Sequence, residues 1–401
     1  MPAGANSRYF RNLYFTTKRP FSSIENIAAS CFPLMVQFVE IQPSHLYLHR
    51  HREYNGITYQ IANFFTYHVI CKYHKSEEKM SKKIVIIKTH KDEAALALVK
   101  DTAAKYGYSV EVYGDLDEAK PHLEDAEIIH GMGMGLLANT PNAKWYCIAS
   151  AGINGYDADY FDERGVLVSN SSGTYGTTIA EHIIMMATMI MRHMFRFDEL
   201  RREGKWLSFK EVTDFRTLCG SKILVLGTGN LGATFAGRVR SFEPASIVGV
   251  SKSGREVPEF DRVVKLEELD AELPNADLIV MCLPGTPETE NVLNKERIAL
   301  LSKDAIVINV GRGNAIDEDA LMDALENDRI AAAALDVFKE EPLPEESPLW
   351  KTKNLYITPH VSGQETAHVT RELNMRMFCE DIENYCEVRP LKYAVDLRRG
   401  Y

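Results

Sequence analysis

The chain has 401 residues, enough for two or three domains that each bury a core. It is 45% hydrophobic and 25% charged, and its formal net charge of -10 gives no general reason to expect a nucleic-acid partner. No apolar run reaches the roughly 18 residues a bilayer span needs. The seven scattered cysteines form no C-x-x-C pair, so a cytoplasmic protein that engages no membrane is expected.

Residues 1–79 are crowded with Tyr, Phe, His and Arg and show no sustained period of 3.6 or 2. At Met80 the text changes to MSKKIVIIK, a chain start followed at once by a buried strand. An over-extended reading frame with Met80 as the true start is the expectation; an accessory segment or an Arg-rich targeting peptide are the alternatives. His45, His49 and His51 are spaced as metal ligands can be, but no Cys or carboxylate completes a set, so no metal site is expected.

From Lys83 onward, strands and helices alternate. IVIIK (84–88) precedes an Ala-rich helical pattern near 93–106, then SVEVY; AEIIH (126–130) leads into GMGMG, and WYCIA (145–149) into SAGING. Apolar strands that alternate with helices argue for parallel sheets covered on both faces. A long amphipathic helix is expected from about Thr177 to Arg202, with Met185, Met186, Met189 and Met191 as packing residues. KILVLGTGNLGATFA (222–236) then opens a second series, carried on by SIVGV, DLIVMCLP, AIVINV, AAAALDV and LYITPH, and the last stretch from about Glu365 is helical. The expected fold is α/β, with two doubly wound parallel-sheet domains.

Gly227, Gly229 and Gly232 form a G-x-G-x-x-G between an apolar strand and a helix, the context of a dinucleotide turn. Gly227 allows the tight turn, Gly229 admits the pyrophosphate to the backbone, and Gly232 lets helix and strand pack; Asn230 and Leu231 lie within the turn. At the end of the next strand, where an acid would bind a ribose 2′-hydroxyl, the chain has Ser251, Lys252 and Arg255. One hydroxyl and two cations suit a 2′-phosphate, so NADP(H) is preferred with NAD(H) possible. The bland alternative is a solvated, charged loop.

Three later strands end in polar residues: Arg312 after IVINV, Glu341 after LDVFKE, and His360 after YITP. Arg312 would hold a carboxylate or polarise the adjacent carbonyl. His360 would exchange a proton with the carbonyl oxygen as hydride transfers, and Glu341 would orient the imidazole and favour its charged form. That chemistry interconverts a 2-oxo acid and a 2-hydroxy acid.

NVGRGNAIDEDAL (309–321), AALDVFKEEPLP (333–344) and ITPHV (357–361) resemble the D-isomer-specific 2-hydroxyacid dehydrogenases, and AEHIIMMATMIMR (180–192) is similar to that family's interdomain helix. The resemblance covers roughly residues 83 to 395. It implies a Rossmann domain of residues 177–364 inserted into a flavodoxin-like substrate domain of residues 80–176 and 365–401, with a homodimer as the usual assembly. It also implies catalytic roles for Arg312, Glu341 and His360, and substrate contacts from the Gly131-Met132-Gly133 loop. Asp336 matches a cofactor-side acid, with a structural strand-end role as the alternative. SKSGR (251–255) and PLPEESPLW (342–350) look most like the NADPH-preferring glyoxylate/hydroxypyruvate reductases, whereas GQETAH (363–368) departs from them. Met132 and Met134 flank the substrate loop and could shape an apolar pocket for a bulkier 2-oxo acid. A nucleotide-gated binding module of the corepressor kind, with little turnover, is the rival reading.

Overall fold

The structure is a computed structural model, and it describes residues 82–398 apart from 89–91, 154, 213, 364 and 366. The extension 1–79, its His45, His49 and His51 cluster, and Met80 lie outside the described residues.

Strands β1 (Lys83–Ile87), β2 (Ser109–Tyr113), β3 (Ile128–Gly131), β4 (Trp145–Ile148) and β5 (Leu167–Asn170) form one sheet, in the order β2-β1-β3-β4-β5. Every pairing is parallel. The apolar runs follow from burial on both faces. Ile84 and Ile86 pack with Val99 of the helix Glu93–Lys105 and with Met375, Phe378 and Ile382 of the C-terminal helix His368–Cys386. Val85 and Ile129 face the other way, onto Leu123, Leu136 and Phe161.

The second sheet has seven strands: β6 (Lys222–Leu226), β7 (Ser246–Ser251), β8 (Arg262–Lys265), β9 (Leu278–Met281), β10 (Ile306–Asn309), β11 (Ala332–Leu335) and β12 (Leu355–Ile357). Their order is β12-β11-β10-β9-β6-β7-β8, again all parallel. The strand order reverses between β6 and β9, which makes the crevice above them the place where a doubly wound fold binds its ligand. Thus both sheets have the architecture expected from the alternation of elements.

The long helix differs from expectation. It runs Gly176–Met191 and stops; a second helix, Met194–Arg202, follows. His193 between them is in the left-handed region at φ 55°, which interrupts the helix. Its imidazole stacks on Phe215, its Nε2 is 3.2 Å from Asp214, and the Arg216 N–H donates to the Met191 carbonyl, so the returning chain caps the break. Met186 and Met191 are buried in the second sheet's core, but Met185 is 43% exposed and does not pack there.

Candidate active site

The glycine turn is shaped by contacts that leave no room for side chains. Gly227 is at φ 103°, and a Cβ there would lie 2.7 Å from the Cys282 carbonyl oxygen. A Cβ on Gly232 would collide with the Gly227 carbonyl, so this residue brings the helix Asn230–Val239 onto β6. Gly229 is different: a Cβ there would meet nothing within 4 Å. The space before it is open, and the helix that begins at Asn230 has no side-chain cap on its first N–H groups. An open approach and uncapped donors fit a pyrophosphate. Asn230 is exposed and Leu231 half-buried at this same helix start.

Ser251, Lys252 and Arg255 share the turn after β7, and β7 lies beside β6. The Ser251 hydroxyl accepts from the Gly254 N–H at 3.1 Å, and Gly254, at φ 63°, reverses the chain. Lys252 and Arg255 are exposed, and Lys252 Nζ is 3.5 Å from Glu288 Oε1. The turn therefore presents its cations to solvent above the strand end, with an acid beside one of them.

Close packing leads from this turn to Arg312. Gly227 abuts Cys282, Gly311 would meet Leu283 with any Cβ, and Gly285 lies against the Arg312 Cγ at 3.1 Å from an ideal Cβ. Asn309 fixes the intervening backbone: its Oδ1 accepts from the Gly311 N–H at 3.1 Å and its Nδ2 donates to the Arg312 carbonyl at 3.0 Å. Arg312 Nη1 donates to the Gly311 carbonyl at 2.8 Å. The other end of the guanidinium reaches the first lobe, where a Cβ on Gly152 would collide with Nη2. Burial pulls the Arg312 pKa down, and the negative charge of Glu341 opposes this.

His360 and Glu341 are in direct contact, with Nδ1 2.6 Å from Glu341 Oε2. The second carboxylate oxygen accepts from the Phe338 N–H at 2.9 Å, so Glu341 is itself held in place. A carboxylate at Nδ1 assigns the proton to that nitrogen and makes Nε2 the one that exchanges protons. His360 is at φ 51°, an uncommon conformation for a non-glycine residue. What holds it is Asp336, 2% exposed at the end of β11. Its carboxylate accepts from Thr358 Oγ1 at 2.6 Å, from the Val361 N–H at 2.9 Å and from the Ser362 N–H at 3.0 Å. Those bonds bracket His360 on both sides and offset the roughly 1–3 kcal/mol a strained backbone position costs. These bonds are what the strand-end task, one of the two expected of Asp336, requires.

The loop expected to contact substrate leaves β3 beside the Gly152 loop, which leaves the neighbouring β4. Gly131 is buried, and its carbonyl accepts from the Ala149 N–H at 2.8 Å. Met132 is 66% exposed, whereas Met134 packs partly into the core of the first lobe. Gly133 is at φ 86°, and its N–H donates to the Tyr156 hydroxyl at 2.8 Å. Gly152 and Tyr156 are the residues that motif reading missed. SAGING contains Gly152 at a strand end, but only the fold puts a guanidinium against it.

Among the described residues no helix is long and apolar enough to cross a membrane, and no group of three or more His, Cys, Asp or Glu could hold a metal ion.

The family model for the D-isomer specific 2-hydroxyacid dehydrogenase, NAD binding domain, matches residues 184–362. Glyoxylate/hydroxypyruvate reductase B of Serratia proteamaculans is 30% identical over 260 residues, which span 64% of this chain and 79% of that protein. The chain belongs to the D-isomer specific 2-hydroxyacid dehydrogenase family. It is thus an oxidoreductase of the class that acts on the CH–OH group of small hydroxy acids, with an NAD-binding-type Rossmann domain. Solved members of the family share the fold. A family protein from Aeromonas salmonicida superposes with a TM-score of 0.69 at 29% identity, covering 80% of this chain and 100% of its own. The enzyme from Xanthobacter autotrophicus Py2, in complex with NADPH and MES, does so with a TM-score of 0.65 at 28% identity, over 80% and 100% of the two chains.

Proposed function

We propose that this dehydrogenase reduces a small 2-oxo acid, glyoxylate or hydroxypyruvate, to the D-2-hydroxy acid with NADPH as preferred coenzyme. Residues 80–176 and 365–401 would form the substrate domain and 177–364 the coenzyme domain. The observation that carries this reading is the His360–Glu341 contact of 2.6 Å, in a site where Arg312 reaches from the second lobe to Gly152 of the first. The coenzyme, when bound, supplies the hydride. Gly227, Gly229, Asn230, Leu231 and Gly232 would receive its pyrophosphate at the uncapped helix start. Ser251, Lys252 and Arg255 would surround the 2′-phosphate, a reading supported by the NADPH bound to the Xanthobacter relative.

The chain's own residues would then work as follows. Arg312 pairs with the substrate carboxylate, and its fixed fork orients the carbonyl. The Gly131-Met132-Gly133 loop contributes backbone N–H groups to the same carboxylate. His360 donates its Nε2 proton to the carbonyl oxygen as the alcohol forms, and takes it back in the reverse direction. Glu341 keeps the imidazole in the tautomer and orientation this needs, and Asp336 keeps the loop in place. The reductase name of the Serratia relative supports the small substrate.

A homodimer in the reducing cytoplasm completes the proposal. Exposed Met185 and Phe242 line a groove of about 590 Å³ away from the site, and Trp206 is 96% exposed, surfaces that suit a second subunit. Five free cysteines among the described residues suit a reducing compartment.

The test is the initial rate of NADPH and NADH oxidation with glyoxylate and with hydroxypyruvate, using protein that begins at Met80. Turnover with a clear NADPH preference supports the whole reading. An NADH preference would make Lys252 and Arg255 surface charges. No turnover with either acid would direct attention to larger 2-oxo acids and then to the binding-module alternative.

A further inference from the structure

The chain passes between the two sheets twice. It leaves β5 at Asn170 and enters the helix Gly176–Met191, which packs in the core of the second sheet. It returns from β12 at Ile357 to the C-terminal helix His368–Cys386, whose Met375, Phe378 and Ile382 lie in the core of the first. The two crossings touch, since a Cβ on Gly363 would lie 3.1 Å from Ile179 Cδ1 and 3.6 Å from Tyr175 Cβ. Each crossing also bears on the site. His360 belongs to the return, and the outward crossing holds the loop that ends at Gly152. There Asn170 Nδ2 donates to the Ala151 carbonyl at 2.9 Å, the Ser171 N–H to the Ser150 carbonyl at 3.2 Å and the Tyr175 hydroxyl to the Ala149 carbonyl at 2.9 Å.

One buried side chain joins the two crossings. Asn374, on the C-terminal helix, is 2% exposed. Its Nδ2 donates to Ser171 Oγ of the outward crossing at 2.8 Å and to Glu365 Oε1 of the return at 3.1 Å. Ser171 accepts because its own proton goes to the Ile148 carbonyl, 3.0 Å away. With both amide protons engaged, Oδ1 is left to accept, and its 3.0 Å bond to His130 assigns that ring's proton to Nε2. The buried Lys88 ammonium, 3.4 Å from Glu365 Oε2, holds the other carboxylate oxygen. A buried amide with every donor and acceptor matched has a single orientation, which apolar packing alone does not impose. We propose that Asn374 is a positioning residue: it fixes the two crossings in one register and so sets the Gly152 loop, and through it Arg312, against His360. The proposal rests on the roles given above to Arg312 and His360 and deepens them. Asn374 acts through others: Ser171 joins the amide to Ser150, whose hydroxyl donates to the Gly152 carbonyl at 2.8 Å, and Gly152 meets the Arg312 fork.

The experiment is a double-mutant cycle of Asn374→Ala with Arg312→Ala, read as kcat/KM for glyoxylate and as NADPH affinity, below the melting temperature of every variant. Asn374→Ala is expected to lower kcat/KM about tenfold or more, because a displaced positioning group costs up to ~100-fold per 1 Å. The NADPH Kd should stay within about twofold, since the glycine turn lies in the second sheet's lobe. In the Arg312→Ala background the same substitution should change kcat/KM by less than about twofold, as a fork that is gone cannot be misplaced. A residue that only supports the fold would lower the melting temperature and give equal losses in both backgrounds, and equal losses would overturn the proposal. So would an Asn374→Ala enzyme within about twofold of wild type. Ser171→Ala carries the test if Asn374→Ala does not fold. It removes the amide's contact with the outward crossing but keeps the Ser171 N–H, and a loss of about threefold or more that vanishes without Arg312 is expected; no loss would overturn the proposal. The underlying reading fails separately, in wild type that turns over no 2-oxo acid or in an Arg312→Ala enzyme as active as wild type, and the proposal falls with it.

Discussion

Gly152→Ala tests whether Arg312 acts from where it is found. The substitution adds one methyl group on the first lobe, and a Cβ at that position falls well inside contact distance of Arg312 Nη2. Gly152 has no positive φ, so the backbone accepts alanine without strain. The whole effect therefore falls on the guanidinium. To restore an ordinary separation of about 3.5 Å, the fork must retreat by roughly 1 Å. Retreat is restricted on the other side, because Gly285 already lies against the Arg312 Cγ and Nη1 is tied to the Gly311 carbonyl. A misplacement of about 1 Å in a substrate-positioning group costs up to ~100-fold in rate, or about 2.7 kcal/mol of transition-state stabilisation.

The assay is kcat/KM for glyoxylate with saturating NADPH, beside NADPH affinity measured by fluorescence. We expect kcat/KM to fall by on the order of 30- to 100-fold and the NADPH Kd to stay within about twofold, since the nucleotide turn belongs to the other lobe. The cycle closes with Arg312→Ala and the double variant. If Gly152 acts only through Arg312, the double variant should match Arg312→Ala, because a group that is gone cannot be displaced. Additive losses, or a Gly152→Ala enzyme within threefold of wild type, would refute the placement of Arg312 as the carboxylate clamp.

His360→Ala should lower kcat by at least about 100-fold, the usual worth of a positioned proton donor, with coenzyme affinity nearly intact; comparable turnover would remove His360 from the mechanism. Ser251→Asp combined with Lys252→Ala and Arg255→Ala should move preference from NADPH toward NADH in the ratio of the two kcat/KM values, and an unchanged ratio would mean that the 2′-phosphate is read elsewhere. His130 is wholly buried at the end of β3, and burial first, then the nearby Lys88 charge, bring its pKa from 6.5 down to about 3. The unfolded chain therefore binds a proton between these values that the folded chain does not. Its contribution is fully present above pH 6.5 and is lost as pH falls toward 3, at about 1.4 kcal/mol per unit within that window. Urea melts across the window should show this slope, and His130→Gln should flatten it; identical slopes would assign acid sensitivity to other groups.

The readable parts of this chain were those whose cause is local or periodic. Strands buried on both faces must be continuous apolar runs, and IVII, KILVL and AIVI are recognisable for that reason. The glycine turn was readable because the constraints on Gly227 and Gly232 arise from the strand and helix that flank them. The helix expected from Thr177 to Arg202 failed at His193 because the apolar spacing continues past a break whose cause, the Phe215 ring and the Arg216 N–H, arrives some twenty residues later. The same distance hid Gly152, whose partner is Arg312, and Tyr156, whose partner is Gly133. Asp336 was visible as a strand-end acid, yet its task depends on three donors at Thr358, Val361 and Ser362 that no spacing rule connects to it. These residues have one property in common. Each touches a backbone group or a charged fork of another strand end, so each fixes a member of the site and would not itself react. A motif captures the groups whose chemistry requires a residue type, and the support around them is set by which strand ends the topology makes neighbours. In this enzyme the β3–β4 and β10–β11–β12 adjacencies do that, and variants along those two seams should alter catalysis more than their distance along the chain suggests.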